Sequence, residues 1–485
     1  WRSRNLVMAG NFNMTNVDEL FEILVNLGQH PKEKVDTVTV MEKIGHFLDE
    51  EVQAQFEKYK DQFSNKEVSD IIENEIDLAR VLKRACKDFD GGYTMAGLIG
   101  SGSAFVVRDP NGIRPAYFYA DDEVVVVASE KPAIKTAFNI EYSQIEEIRP
   151  GHALIITKSG EYAQHQVLPS SEKKSCSFER IYFSRGNDPD IYRERKMLGK
   201  LIVPQVLKAI NFDLKNTIFS YIPNTAETAF YGMMAEVENY LIKRQKEVLL
   251  EGKPSVDSFE DMLSFRPRVE KIVIKDAKLR TFIADDSSRD ELVAHVYDTT
   301  YEVVNRDKDN LVVIDDSIVR GTTLEKSILR LLDRLGPKKI IVISSAPQIR
   351  FPDCYGIDMS RMGDFVAFRA VIELLKEHGK DYLLGEVYEQ CRQSLNEDVP
   401  VNHVKRLYEQ FSYEEVSDKI TEIVKPADMK AELKVVFQTV DALHKAIPLH
   451  LGDWYFTGDY PTPGGTKVAN KSYMNYMEGR LVRAY

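Results

Sequence analysis

Leu311-Val312-Val313-Ile314-Asp315-Asp316-Ser317-Ile318-Val319-Arg320-Gly321-Thr322-Thr323 decides how the second part of this chain folds. Four apolar residues in a row, three of them branched at the β-carbon, read as a buried parallel strand. Two adjacent carboxylates stand at its C-terminal end. A short loop closes on Gly-Thr-Thr, and Leu324, Ile328, Leu331, Leu332 and Leu335 then repeat at helical spacing. Strand, loop and helix in this order make a phosphate cradle from backbone N–H groups and the Ser317, Thr322 and Thr323 hydroxyls. The carboxylates would repel that phosphate, so they are expected to face hydroxyls or a hydrated Mg²⁺. A ribose 5-phosphate, with an anion at one end and a vicinal diol at the other, meets both demands. The competing reading is an acidic strand end in some other doubly wound sheet.

The chain has 485 residues, more than one ordinary core, so two or three domains are expected. Its 43% hydrophobic and 29% charged residues are a globular balance. A net charge of −12 argues against nucleic acid or an anionic membrane as partner, while leaving room for a local basic pocket. No apolar run has transmembrane length. Cys86, Cys176, Cys354 and Cys391 are widely spaced, which points to a reducing, cytoplasmic compartment.

Two textures follow one another. Helical periodicity over Val17–Leu27, Thr37–Val52 and Val68–Phe89 precedes short strands at Tyr93–Ile99, Ala104–Val107, Ala116–Tyr119, Val124–Ala128 and His152–Thr157, which implies an α+β layered half. Beyond a polar linker at Ser170–Lys174, strands at Thr217–Ile222, Val269–Ile274, Leu311–Ile314 and Lys339–Ser345 alternate with helices, a doubly wound α/β pattern. Met233–Leu250 reads as a charged inserted helix, Phe365–Leu443 as helices with charged faces, and Pro461–Tyr485 as a Gly-, Pro- and Asn-rich tail.

Asp315-Asp316-Ser317-Ile318-Val319-Arg320-Gly321-Thr322-Thr323 resembles the phosphoribosyl pyrophosphate (PRPP) loop of type I phosphoribosyltransferases and, more closely, that of the glutamine PRPP amidotransferases. Cys176–Arg185 is similar to the strand that opens that family's transferase domain, and Ile222-Pro223-Asn224-Thr225-Ala226 to its pyrophosphate loop. Arg280-Thr281-Phe282-Ile283 resembles the start of its lid, and Ser345–Pro352 with Tyr355–Met359 the stretch after the PRPP helix. The resemblance implies that Asp315, Asp316, Ser317, Ile318, Val319, Arg320, Gly321, Thr322 and Thr323, with Asn224 and Thr225, bind PRPP. It implies Asp315 and Asp316 as Mg²⁺ ligands and Arg280 as a catalytic cation, with Arg320 a further candidate or a loop-pinning residue. The lid departs from the family: Ala284–Glu291 is acidic where the family is basic, so Lys275 or Lys278 is a substitute partner for pyrophosphate. Some relatives hold an iron–sulfur cluster. Here Cys176 occupies one ligand place, Cys354 is one residue past a second, and Gly452 and Tyr455 stand where a cysteine pair is expected, so no cluster is expected.

Asn11-Phe12-Asn13-Met14-Thr15-Asn16 resembles the oxyanion-hole segment of class II glutamine amidotransferases, and Asp36 matches the acid that holds glutamine's amino group. Those roles fall on Asn11, Phe12 and Asp36, with Phe12 replacing the family's glycine. Arg108–Pro115 and Ala128–Pro132 also resemble this family, and their favoured reading is structural. The family's N-terminal Cys nucleophile has no counterpart, since residue 1 is Trp, and the expectation is that the sequence is part of a longer polypeptide.

The resemblance therefore implies a partial Ntn-hydrolase-like glutaminase sandwich (1–170), a type I phosphoribosyltransferase domain with helical insertions (171–463) and a C-terminal tail (464–485). The implied activity is glutamine- or ammonia-dependent formation of 5-phosphoribosylamine from PRPP, the first step of purine synthesis. It also implies purine nucleotides as feedback inhibitors and a homo-oligomer. The alternatives are a PRPP-binding regulator with an inactive transferase site, or an ammonia-only phosphoribosyltransferase.

Overall fold

Asn310–Asp315 is the middle strand of a five-stranded, wholly parallel sheet, in the order Arg268–Val269, Thr217–Tyr221, Asn310–Asp315, Lys339–Ser344, Glu432–Phe437. The computed structural model describes residues 2–251, 256–275, 297–357 and 359–484. A parallel strand is buried on both faces, so its alternate residues feed two cores. Leu311 and Val313 join Ile340 and Val342 on one face, covered by the helices Val366–Glu377 and Tyr413–Val424. Val312 and Ile314 join Ile341 and Ile343 on the other, under the helices Pro189–Ala209 and Glu227–Glu251. Those last two helices touch backbone to backbone. A Cβ on Gly199 would run into the Ala229 carbonyl, and one on Gly232 into Lys196, so only glycine permits the approach.

The first half is antiparallel. Its five-stranded sheet runs Leu6–Met14, Gly91–Ile99, Ala104–Arg108, His152–Ile156, Tyr162–Gln166, beside a three-stranded sheet of Val125–Ala128, Tyr117–Ala120 and Glu146–Glu147. The helices Val17–Asn26, Asp36–Tyr59 and Leu78–Ala85 cover one face through Leu20, Val40, Ile44, Leu48, Val81 and Leu82, which meet Tyr93, Met95, Phe105 and Val107. The α+β half followed by the α/β half is the expected fold class.

Four local readings need correction. The Val68–Phe89 helix is two helices, Asn65–Glu75 and Leu78–Ala85, because Asp77 leaves the helix to accept a bond from Arg80 N as an N-cap. Val269–Ile274 splits. Arg268–Val269 extends the parallel sheet, while Val273–Lys275 turns away to pair antiparallel with Tyr297–Thr299. Cys176–Arg185 is no strand; Glu179–Phe183 is a wide helical turn. Within the stretch read as all helical, Glu432–Phe437 is the fifth parallel strand, a short apolar run whose type periodicity does not resolve. The tail begins with a 15-residue helix, Pro463–Met477, packed on Tyr382–Ser394.

The halves are joined by polar groups. Arg114 pairs with Glu179 and donates to the Tyr355 carbonyl, and Asn13 Nδ2 donates to the Cys354 carbonyl at 2.7 Å. Asp90 sits at the N-terminus of Pro463–Met477, where its carboxylate accepts from Gly464 N at 2.8 Å and from the Thr15 and Thr462 hydroxyls, both at 2.6 Å. The linker is pinned to the Asn111-Gly112 turn through Lys174 N and the Asn111 carbonyl at 2.8 Å. Replacing buried Arg114 by Met strands Glu179 and the Tyr355 carbonyl without their donor. Breaking a buried pair in this way costs roughly 3–5 kcal/mol. A matching fall in chemical-denaturation stability is expected for Arg114→Met, whereas a change within about 0.5 kcal/mol, typical of a surface site, would refute the role.

Candidate functional site

The C-terminal ends of Thr217–Tyr221 and Asn310–Asp315 open into a cavity of about 320 Å³. This is where open parallel sheets bind ligands, since the loops leaving adjacent strands diverge there. One wall is the loop Asp315–Thr323, and another is Ile222–Thr225, with a cis peptide between Pro223 and Asn224. Every loop residue named from sequence, together with Asn224 and Thr225, lines this one cavity.

The loop is held from behind. Ser345 N donates to the Asp315 carbonyl at 2.9 Å and Ala346 N to the Asp316 carbonyl at 3.0 Å. Val366 N donates to the Val319 carbonyl at 3.0 Å, and Arg369 Nη2 to the Arg320 carbonyl at 2.8 Å. Gly321 takes φ +75, and a Cβ there would meet Val424 at 2.8 Å, so the position requires glycine for both conformation and space. Arg320 lines the cavity but is also anchored, with its Nη2 3.3 Å from Asp364, which takes Arg361 as well at 2.9 Å.

Asp315 and Asp316 set the electrostatics. Burial raises both carboxyls, and for Asp315 the neighbouring Asp316 charge adds to the effect. Asp316 is pushed up to about 6 by burial, against the bond from Ser317 Oγ at 2.8 Å and the positive charges of Arg195 and Lys275. Two carboxylates with too little water and too little counter-charge form a site that a cation or hydroxyl donors would stabilise.

The aromatic residues of the cavity were not legible as site residues. Phe178, Tyr182 and Tyr297 form an aromatic wall, and Lys275 Nζ stands 5.7 Å from the Tyr297 ring centroid. The only sequence signal was the aromatic density of Phe178–Phe183. Lys275 was named from sequence as a substitute cation, and the structure puts it in the cavity. Arg280, Lys278 and the acidic stretch 284–291 lie outside the described residues.

Asn11 and Phe12 lie on the edge strand Leu6–Met14, opposite Thr94 and Tyr93. Asp36 is the first residue of the helix Asp36–Tyr59, and its carboxylate accepts from Thr37 N at 2.7 Å. None of the three lines the cavity at the sheet ends. Arg108 and Asp109 hold the fold: Arg108 bonds Glu147 and the carbonyls of Gly112, Arg114 and Ile148, and Asp109 accepts from Tyr93, Asn111, Ile113 and Arg114 N–H groups.

Cys176, Asp353, Gly452 and Tyr455 do come together. Cys176 Sγ lies 3.5 Å from Tyr455 Oη, which donates to Asp353 Oδ1 at 2.9 Å, and Cys176 pairs with Gly452 as an isolated bridge. Burial pushes the Cys176 thiol up to about 12. The phenol and carboxylate fill the space between these chain segments. Among the described residues no group of three or more His, Cys, Asp or Glu is placed to hold a metal.

No family model matches the chain. It is 27% identical over 407 residues to the amidophosphoribosyltransferase of Pasteurella multocida, covering 81% of this chain and 71% of that one. It is 30% identical over 307 residues to that of Escherichia coli, covering 61% and 54%, and 29% identical over 308 residues to that of Saccharomyces cerevisiae, covering 61% and 53%. The chain thus spans about half to seven-tenths of these relatives' length. Among solved structures, the glutamine PRPP amidotransferase from B. subtilis complexed with ADP and GMP superposes with a TM-score of 0.59 at 23% identity, over 95% of this chain and 79% of that one. That likeness establishes the fold.

The raised Asp316 carboxyl has a stability consequence. The folded chain keeps this proton up to about pH 6, whereas the unfolded chain releases it near the ordinary value of 3.8. The folded state therefore binds more protons between these values, and stability falls as pH rises through that window. Asp316→Asn is expected to be more stable than the parent at pH 8, by roughly 1–3 kcal/mol, with a flatter pH profile between about 4 and 6. A variant less stable than the parent at pH 8 would contradict this.

Proposed function

We propose that the chain is an amidophosphoribosyltransferase of the glutamine PRPP amidotransferase family, a pentosyltransferase that forms 5-phosphoribosylamine and pyrophosphate from PRPP and ammonia, a reading supported by its likeness to the Pasteurella multocida and Escherichia coli amidophosphoribosyltransferases. The observation that carries this is that the Asp315–Thr323 loop with its paired carboxylates, Asn224 and Thr225 all line one cavity. PRPP needs three separate contacts, and the cavity offers each.

The 5-phosphate fits the backbone of Ser317–Thr323 with the Thr322 and Thr323 hydroxyls. Asp315 and Asp316 accept from the ribose hydroxyls. Asn224 and Thr225, with Lys275 in the same cavity, take the pyrophosphate. The lone pair of ammonia forms the new bond to C1 while the C1–O bond to pyrophosphate breaks and its electron pair leaves with that group; the new ammonium nitrogen then gives up one proton to solvent, leaving the amine. Positive charge grows on the ribose ring as the bond breaks, and the two carboxylates face that charge without having to reorganise. The aromatic wall excludes water, which would otherwise compete for C1. Mg²⁺ suits two carboxylates plus substrate oxygens, and when bound by Asp315 and Asp316 it would neutralise the leaving group's charge.

The domains proposed are a glutaminase part over 1–170, the transferase over 171–463 and the tail 464–485. In the first, Asn11 and Phe12 would form the oxyanion hole of glutamine hydrolysis and Asp36 would hold the substrate's amino group. Arg280 is proposed as a cation for the leaving pyrophosphate. Purine nucleotides as inhibitors, a homo-oligomer and a cytoplasmic location complete the proposal. They are supported by the likeness to amidophosphoribosyltransferases and, for nucleotides, by the ADP and GMP of the B. subtilis structure. No helix among the described residues is long and apolar enough to cross a membrane.

The test is pyrophosphate release from PRPP and Mg²⁺, with ammonia compared against glutamine. Release with ammonia is expected, with loss of roughly 100-fold or more in kcat/KM for Asp315→Asn, in line with the removal of a preorganised charge. PRPP binding without release under either donor would refute the transferase and favour a regulator.

A further inference from the structure

A second cavity, of about 620 Å³, lies between the Pro347–Phe351 segment, the start of the helix Tyr413–Val424 and the Phe456–Asp459 turn. Its distinguishing group is Arg350. The guanidinium carbon lies 5.0 Å from the ring centroids of both Tyr408 and Tyr413. Nε and Nη2 donate to one neutral acceptor, Gln348 Oε1, at 3.0 and 2.7 Å. Two π faces and an amide oxygen stabilise a cation without neutralising it, and buried cations are ordinarily paired. Among the described residues Arg350 has no carboxylate partner, and burial holds its pKa down.

The clamp is rigid. Tyr408 Oη donates to the Arg350 carbonyl at 2.8 Å, and Tyr413 Oη donates to the Gln438 carbonyl at 2.7 Å while accepting from Gln348 N at 2.9 Å. Gln348 Nε2 is in turn tied to Ser417 Oγ at 2.8 Å. The charge is therefore presented in a fixed place, with the Nη1 edge left over from these bonds.

The rim has the opposite sign. Glu409, Glu414 and Asp441 line the same cavity, are exposed, and among the described residues form no ion pair. Lys405 is taken by Asp459 at 2.7 Å. A polyanion entering this cavity would meet the rim's repulsion, and a simple cation would meet Arg350. A molecule carrying both charges meets each with its complement, and its apolar part meets the rings.

We propose that this cavity binds a small zwitterion, an α-amino acid with an apolar or aromatic side chain. Its carboxylate lies on Arg350, its ammonium group faces the rim carboxylates, and its side chain lies against Tyr408 and Tyr413. Nothing covalent changes. The segment that carries Arg350 starts at Ser345 and Ala346, which hold the backbone of Asp315 and Asp316, so an occupant would sit a few residues from the supports of the ribose-phosphate loop.

The test is calorimetric titration of the full chain with L-phenylalanine, and with 3-phenylpropionate and 2-phenylethylamine as probes that each lack one charge. Saturable binding of L-phenylalanine is expected, with both single-charge probes at least about tenfold weaker, the loss of about one good ionic contact. Arg350→Gln should abolish binding. Because that change also touches the clamp, the exposed double variant Glu409→Gln/Glu414→Gln is measured beside it. It should weaken L-phenylalanine and leave 3-phenylpropionate unchanged. Absence of saturation by L-phenylalanine, equal binding of 3-phenylpropionate, or parent-like binding in both variants would overturn the proposal.

Discussion

Two neighbouring carboxylates at the end of a buried strand are the constraint around which the second half is organised. Charged, they repel each other in a place with little water; protonated, they lose the interactions a ribose or a cation would offer. The backbone carries the burden of holding them there. The Asp315 and Asp316 carbonyls are fixed by the N–H groups of Ser345 and Ala346 on the next strand's exit, and the loop beyond is fixed by Val366 and Arg369. Burial raises both carboxyls, so hydroxyl donors or a cation beside them would favour their charged forms. A diol and a divalent ion are ligands of that kind, which is why the proposed phosphoribosyl donor suits this place in the fold.

The same logic of buried charge with a partner governs the contact between the halves. Arg114 reaches Glu179 and the Tyr355 carbonyl, and Asp90 accepts from the first turn of the helix Pro463–Met477. These are directional bonds between residues far apart in sequence, so they set orientation as well as stability. Near Arg114, the Cys176, Tyr455 and Asp353 side chains form a closed hydrogen-bonded group. The phenol of Tyr455 does there what neither a glycine nor a second thiol would do: it fills space and satisfies the buried Asp353.

What the sequence made legible was local. The run Leu311–Thr323 announced a strand with an acidic end because each residue's type matches its own position, and the strand is found at Asn310–Asp315. The edges were harder. Leu6–Met14 was hidden because Gly10, Asn11 and Asn13 break the apolar alternation of an edge strand, and Glu432–Phe437 because six residues are too few to separate strand from helix. The aromatic wall of Phe178, Tyr182 and Tyr297 was illegible for a different reason. Its members come from segments more than a hundred residues apart, brought together only by the sheet. Arg350 likewise looks ordinary in sequence and becomes unusual only when two tyrosines from a later helical region close around it.

The most direct measurement is calorimetric titration of PRPP, with and without Mg²⁺, into the parent chain and an Asp315→Asn/Asp316→Asn variant at pH 8. Mg²⁺-dependent binding by the parent is expected. The variant, which keeps the loop backbone, should bind at least about tenfold more weakly and lose the Mg²⁺ dependence. Equal affinity in the two chains, or binding indifferent to Mg²⁺ in the parent, would contradict the claim that the paired carboxylates are the centre of the site.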